Sequence, residues 1–202
     1  MVVTLPQPAM CNIPQIDQAE TVQMRRLLLL RHAKTERESQ SGQDRDRRLD
    51  SRGRDDAPVI GRYLAEEKLV PDLALVSPAT RTRETFDLLA SGLEPEPAME
   101  VIPGLYGADA AELLQIIRAA GQANSRPAKS VLVVAHNPGL HELSLALIGK
   151  AKGNDREALE ENLPTSGLAV FKFAIDDWDD LSIRHGTLER FVSPRRLQRE
   201  ND

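Results

Sequence analysis

The chain has 202 residues, 41% of them hydrophobic and 28% charged, with a formal net charge of -5. This fits one compact domain, or at most two small ones, with a sizeable core. The acidity argues against a nucleic-acid or membrane-surface partner, so any anion site must be a local concentration of arginines. No apolar stretch approaches the roughly 18 residues of a membrane span. A single cysteine, Cys11, excludes an internal disulfide, and the expected location is cytoplasmic.

Residues 1–23, MVVTLPQPAMCNIPQIDQAETVQ, hold Pro6, Pro8 and Pro14 and lack the basic start and apolar middle of a secretory signal. They predict a poorly ordered arm, with Met24 as an alternative start. RLLLLR, residues 26–31, is too short for a typical helix and reads as a buried strand. A long polar loop follows over 33–52. The next helix is expected from about Gly53 to Lys68, with Pro58 near its start. DLALVSP is a short strand ending at Ser77-Pro78. ATRTRETFDLLASG is a helix stopped by Gly92, and AMEVIP a further strand.

ADAAELLQIIRAAG places Leu113, Leu114, Ile116 and Ile117 at helical spacing, with Asp109 as N-cap and Gly121 as the stop. SVLVVAHNPG is the clearest strand, β-branched and turned by Asn-Pro-Gly. HELSLALIG reads as helix, and GLAVFKF and SIRHGTLERFV as late strands, candidates for antiparallel pairing. PRRLQREND is a charged terminus. No repeat divides the chain, so the expected organisation is the arm 1–23, one domain over 24–197 and a tail over 198–202. Alternating strands and helices point to an α/β layered fold with a largely parallel sheet.

Three strands end in polar groups: Arg31-His32, Ser77-Pro78 leading to Arg81, and His136-Asn137. In open α/β sheets ligands bind beyond the carboxyl ends of strands, where helix N-termini add N–H donors. Two arginines and two histidines converging there suit a phosphate dianion, with guanidinium forks as its clamps. Arg83, Lys34 and His185 read as ordinary solvated or surface residues. His141-Glu142 begins a zinc-like spacing, but position 145 is leucine, so no metal site is expected.

These segments resemble the histidine phosphatase (phosphoglycerate mutase-like) superfamily. RHA in LLLLRHAKTE is similar to its Arg-His-Gly signature. VSPATRTRET is similar to its second-arginine segment, and VVAHNPGL to its second-histidine segment. DRRLDSRG, LYGA, HNPG, LPTSGLAV and FVSPRRL resemble the SixA-type phosphohistidine phosphatases, and the likeness spans about residues 25–197.

The resemblance implies a three-layer α/β sandwich, a mostly parallel central sheet with helices on both faces. It implies His32 as the nucleophile, Arg31 and Arg81 as phosphate clamps, and His136 as a hydrogen-bond donor to the transferring group. Ser77 and Asn137 are candidate substrate-binding residues, Ser77 alternatively a helix cap. No cofactor is implied.

Ala33 replaces the family's glycine, which would strain the chain if φ were positive there. Arg48 stands where proline is expected and Asp50 where asparagine is common. Neither Asn137 nor GLYGADAAEL supplies the proton donor of related branches. Glu36, Glu38, Asp44 and Asp46 in the long loop are the candidate acids that remain. The expected function is a phosphatase acting through a phosphohistidine, with a histidine-phosphorylated protein as substrate. A small-molecule phosphomonoesterase is the alternative, and a non-catalytic phosphate- or phosphoprotein-binding module a more distant one.

Overall fold

The computed structural model describes residues 23–120 and 128–200. The arm over 1–22 and the expected stop at Gly121 lie outside the described residues. The core is a seven-stranded sheet in the order β3-β2-β4-β1-β6-β7-β5. Its strands are β1 (Met24–Arg31), β2 (Leu73–Val76), β3 (Ala98–Val101), β4 (Ser130–Ala135), β5 (Ile148–Ala151), β6 (Leu168–Ala174) and β7 (Gly186–Val192). β1, β4, β2 and β3 pair in parallel, β6 runs antiparallel to both β1 and β7, and β5 is parallel to β7.

The helices are α1 (Ser51–Glu66), α2 (Thr80–Ala90), α3 (Ala110–Ala119), α4 (Gly139–Leu147), α5 (Asp155–Glu161) and α6 (Pro194–Glu200). The run LLLL explains the layering. Side chains alternate across a strand, and all four leucines of 27–30 are 0% exposed. Leu27 and Leu29 pack with Leu113 and Ile117 of α3 and Leu140 and Leu143 of α4. Leu28 and Leu30 pack with Ile60 and Leu64 of α1 and Phe86 and Leu89 of α2. A central strand covered on both faces has no polar side to show. The expected three-layer α/β sandwich is the observed one.

Local signals explain the helix starts. The Asp50 side chain accepts from Gly53 N, so α1 begins two residues earlier than expected. Asp109 caps α3 in a full capping box with Glu112. Other segments differ from expectation. Helix α4 ends at Leu147, and Ile148–Ala151 becomes an edge strand on β7. Gly149 permits this, because a Cβ there would lie 2.1 Å from Arg184 O. Helix α5 was not expected, since only Leu159 of its seven residues is buried. The terminus forms α6, which runs past residue 197; Leu197 packs on the core, and Arg196 pairs with Asp155 at 2.8 Å.

Candidate active site

Strands β2, β4 and β1 are parallel neighbours, so their carboxyl ends open on one side of the sheet. The ladder continues one step beyond each end: Ser77 N donates to Val134 O at 3.0 Å, and His32 N to Ala135 O at 3.2 Å. Ser77, His136 and His32 therefore stand side by side as a consequence of register. The His32 and His136 rings lie 5.2 Å apart, tilted by 55°. The guanidinium charges of Arg31 and Arg81 act on both rings. The structure thus brings together His32, Arg31, Arg81, His136 and Ser77.

His32 Nδ1 lies 2.8 Å from Ala33 O. A carbonyl only accepts, so Nδ1 carries the proton and Nε2 keeps its lone pair. Burial holds the His32 pKa down at about 4, aided by the charges of Arg81, Arg31 and Arg47 and opposed by the Ala33 carbonyl. The ring is neutral near pH 7, as a nucleophile must be. Burial also lowers His136, to about 3, with Arg81 the next cause. His136 Nε2 is 2.8 Å from the Ser77 hydroxyl, while its buried Nδ1 has no partner among the described residues. Ser77 is therefore bound to His136 and is not the cap of α2, whose N-cap is Ala79.

Arg31 and Asn137 share one acceptor. Arg31 Nη1 donates to Leu163 O at 2.9 Å, and Asn137 Nδ2 to the same oxygen at 3.0 Å. Asn137 thus steadies the segment that steadies Arg31. Ser166, at φ 56°, donates its N–H to both Arg31 O and His32 O at 3.2 Å. This fixes the backbone of the Arg-His pair from the LPTSG side. Ala33 is 0% exposed and is not among the positive-φ residues, so alanine fits without strain. Its N–H donates to Thr85 Oγ1 at 3.0 Å, and that hydroxyl donates to Arg81 O at 2.6 Å. Thr85 so couples the first arginine segment to the second. Arg83 points outward and is exposed.

The long loop folds over the site. A bridge between Thr35 and Leu49 closes its base, and Glu84 of α2 holds Arg48 at 2.7 Å and Leu49 N at 2.8 Å. Of the four acidic candidates, Asp44 reaches the arginines: its Oδ2 accepts from Arg81 Nη2 at 2.9 Å and from the Tyr106 hydroxyl at 3.0 Å. The hydrogen bond from Arg47 is the leading cause that holds the Asp44 carboxyl at about 2, with burial opposing and Arg81 and Tyr106 assisting. Glu112 is committed to the α3 cap.

Tyr106, in the LYGA segment, stands edge-on to His136 at 5.6 Å. Sequence reading gave it no role. Its signal was the LYGA resemblance, which carries no chemistry until the fold sets that loop beside His136. His141 is used structurally, 2.6 Å from Leu159 O. No group of three or more metal-ligating side chains occurs among the described residues. No helix there is long and apolar enough to cross a membrane.

Comparison with known proteins gives this geometry a family. The profile of the histidine phosphatase superfamily (branch 1) matches residues 27–112. An uncharacterised protein of Mycobacterium leprae is 33% identical over 153 residues, 75% of this chain and 89% of that protein. A structure from Agrobacterium tumefaciens, bearing the name of the phosphohistidine phosphatase SixA, is 30% identical with a TM-score of 0.69, covering 84% of this chain and 98% of the other. A SixA-named structure from Nakamurella multipartitia has a TM-score of 0.72 at 23% identity, covering 87% and 99%, a likeness of fold. With its motifs meeting at adjacent strand ends and this breadth of similarity, the chain belongs to the histidine phosphatase superfamily, on the SixA-type branch, and is a phosphatase for a phosphate-bearing substrate.

Proposed function

We propose that the protein removes phosphate from phosphohistidine on a partner protein, by way of a phosphohistidine formed on its own His32. The observation that carries this is the Nδ1–H bond from His32 to Ala33 O, which leaves Nε2 unprotonated. Nε2 attacks phosphorus, and the leaving group departs with the electron pair of the bond it loses. Water then takes the phosphoryl group from His32. Arg31 and Arg81 meet the charge on the equatorial oxygens as the transition state forms.

His136 has a complementary part. With the Ser77 hydroxyl donating to Nε2, the single proton of the neutral ring sits on Nδ1, the buried atom without a partner. That N–H is then free to donate to a phosphoryl oxygen. Ser77 is in this reading a positioning residue, acting through His136.

The choice of substrate rests on the proton inventory. An alkyl ester expels an alkoxide and needs a positioned acid. Asp44 is the carboxylate at the arginines, and at a pKa of about 2 it is ionised near neutrality. Phosphohistidine expels imidazole, whose conjugate acid has a pKa of roughly 6.5, and needs no dedicated donor. The test is kcat/KM across phosphate esters ordered by leaving-group pKa, beside a phosphohistidine protein. Fast phosphohistidine, moderate aryl-ester and very slow alkyl-ester hydrolysis are expected. Enzyme quenched in alkaline denaturant should carry acid-labile, base-stable phosphate on His32. Alkyl esters as good as phosphohistidine would move the assignment to a small-molecule phosphomonoesterase.

A further inference from the structure

Arg81 gives its guanidinium to a group on its own chain. Nη1 donates to Asp44 O at 2.6 Å and Nη2 to Asp44 Oδ2 at 2.9 Å. The Asp44 side chain is 54% exposed, whereas that of Arg81 is 7% exposed. The pair therefore joins the enclosed floor of the crevice to its open mouth. Oδ1 of the same carboxylate accepts from Arg47 Nη1 at 2.9 Å. Arg47 is itself anchored to Thr35 Oγ1 at 2.7 Å and to Glu36 O at 2.8 Å. Tyr106, 39% exposed, adds its ring beside this carboxylate. The floor is cationic; the mouth carries the Asp44 carboxylate and the Tyr106 ring, with Arg47 bound to the first and Arg45 over the second at 6.0 Å, so that the seat opens to a new cation when Arg81 turns to the phosphoryl group.

A phosphoryl dianion is the stronger competitor for the Arg81 fork, because it offers more charge and more acceptor oxygens. Its arrival frees Asp44 Oδ2 from Arg81, while Arg47 keeps the carboxylate at the mouth. We propose that Asp44 and Tyr106 form a specificity-determining seat for the leaving group, and that the group they select is the protonated imidazole ring of a phosphohistidine. This rests on the phosphohistidine reading above.

The step balances without a further reactant. A bond forms between His32 Nε2 and phosphorus. The bond from phosphorus to the substrate ring nitrogen breaks, and its electron pair stays on that nitrogen. The other ring nitrogen keeps its proton and donates it to the Asp44 carboxylate as a hydrogen bond. The ring thus leaves as neutral imidazole. An unprotonated ring would have to leave as an imidazolate anion, a far poorer leaving group. The carboxylate favours the reactive form of the substrate, and the Tyr106 ring offers the cation an aromatic neighbour. An ester has no N–H to offer, and the alkoxide or phenoxide it expels meets a like charge.

The test uses the full chain and compares wild type with Asp44→Asn, Asp44→Ala and Tyr106→Leu. The readouts are kcat/KM on a phosphohistidine peptide, kcat/KM on p-nitrophenyl phosphate, and Ki for inorganic phosphate. In Asp44→Asn, phosphohistidine hydrolysis should fall about tenfold, the effect of one charge-assisted hydrogen bond. Aryl-ester turnover should rise, and phosphate should inhibit at lower concentration, because Arg81 no longer holds a competing carboxylate. Asp44→Ala should do the same, and Tyr106→Leu should weaken phosphohistidine hydrolysis more than aryl-ester hydrolysis. Equal losses on both substrates, or an unchanged Ki for phosphate, would overturn the proposal and leave the phosphatase assignment standing. A wild-type enzyme active on the aryl ester but inert to phosphohistidine would instead overturn the substrate reading itself.

Discussion

The two histidines should make folding acid-sensitive. His32 is held at about 4 and His136 at about 3, against an ordinary 6.5. Unfolding returns both to about 6.5. Between pH 6.5 and 4 the unfolded chain therefore binds more protons than the folded one, and stability falls as pH falls. At pH 5 both folded values lie below the solution pH. The loss then depends only on the distance from the unfolded value, about 1.5 units or ~2 kcal/mol per histidine. His136 is 9% exposed and takes most of this. His32 is partly open to water, and solvent screening reduces its share to ~1 kcal/mol. The sum, ~3 kcal/mol, corresponds to a thermal midpoint about 6–12 °C lower at pH 5 than at pH 7 for a chain of this size. Asp44, held at about 2, loses its contribution only at lower pH, as its carboxyl protonates. Asp56, pushed up by burial, acts in the opposite sense and is common to every variant. The assay is thermal unfolding at both pH values for wild type, His136→Gln and the double variant His32→Gln/His136→Gln. The drop should shrink by more than half in the single variant and nearly vanish in the double. A double variant that loses as many degrees as wild type would refute the buried-histidine account.

Arg81→Ala should lower kcat/KM by at least a hundredfold and weaken phosphate inhibition, because a clamp serves both binding and transfer; Arg83→Ala, on the exposed face of α2, should change kcat/KM less than twofold. Gly139→Ala should lower the thermal midpoint by several degrees, since its Cβ would fall 2.1 Å from Ala108 O and must push apart the start of α4 and the segment after Tyr106, a strain of about 1–3 kcal/mol.

The parts of this molecule that sequence made legible are those where one local rule decides. Four leucines with no polar member, in a run too short for a typical helix and followed by a polar loop, read as a buried strand, and Leu27–Leu30 lie in that strand. Asp109 announces a helix start because an N-cap acts within one turn, and the structure completes its capping box with Glu112. Arg31-His32, Ser77 and His136 were readable because each sits at the end of an apolar run, and parallel pairing brings such ends together. The segments that escaped are decided at long range. Ile148–Ala151 continues a helical pattern and becomes a strand through pairing with β7. Helix α5 has one buried residue, Leu159, and its Asp155 is fixed by Phe191 N and Arg196, both more than thirty residues away. The terminal run reads as solvated charge, yet Arg196 and Leu197 turn it into a docked helix.

The same division separates the two halves of the chemistry. The floor of the crevice comes from strand ends, and its register leaves little freedom: moving Ser77 or His136 by one residue would turn each side chain to the other face of the sheet. The mouth comes from Asp44 in the 33–52 loop and Tyr106 in the segment before α3, both outside the ladder. Loops accept substitution and length change where strands do not. In the proposed mechanism transfer to His32 is thus a property of the sheet, whereas the choice of what leaves is a property of two loops. That is why His32 could be proposed as the nucleophile from RHA, but the fate of the leaving group could not be read from GQDRDRRL. The four acidic candidates of the loop are alike in composition. They differ only in which one the Arg47 and Glu84 anchors deliver to Arg81, and that is fixed by hydrogen bonds spanning up to 37 residues of chain.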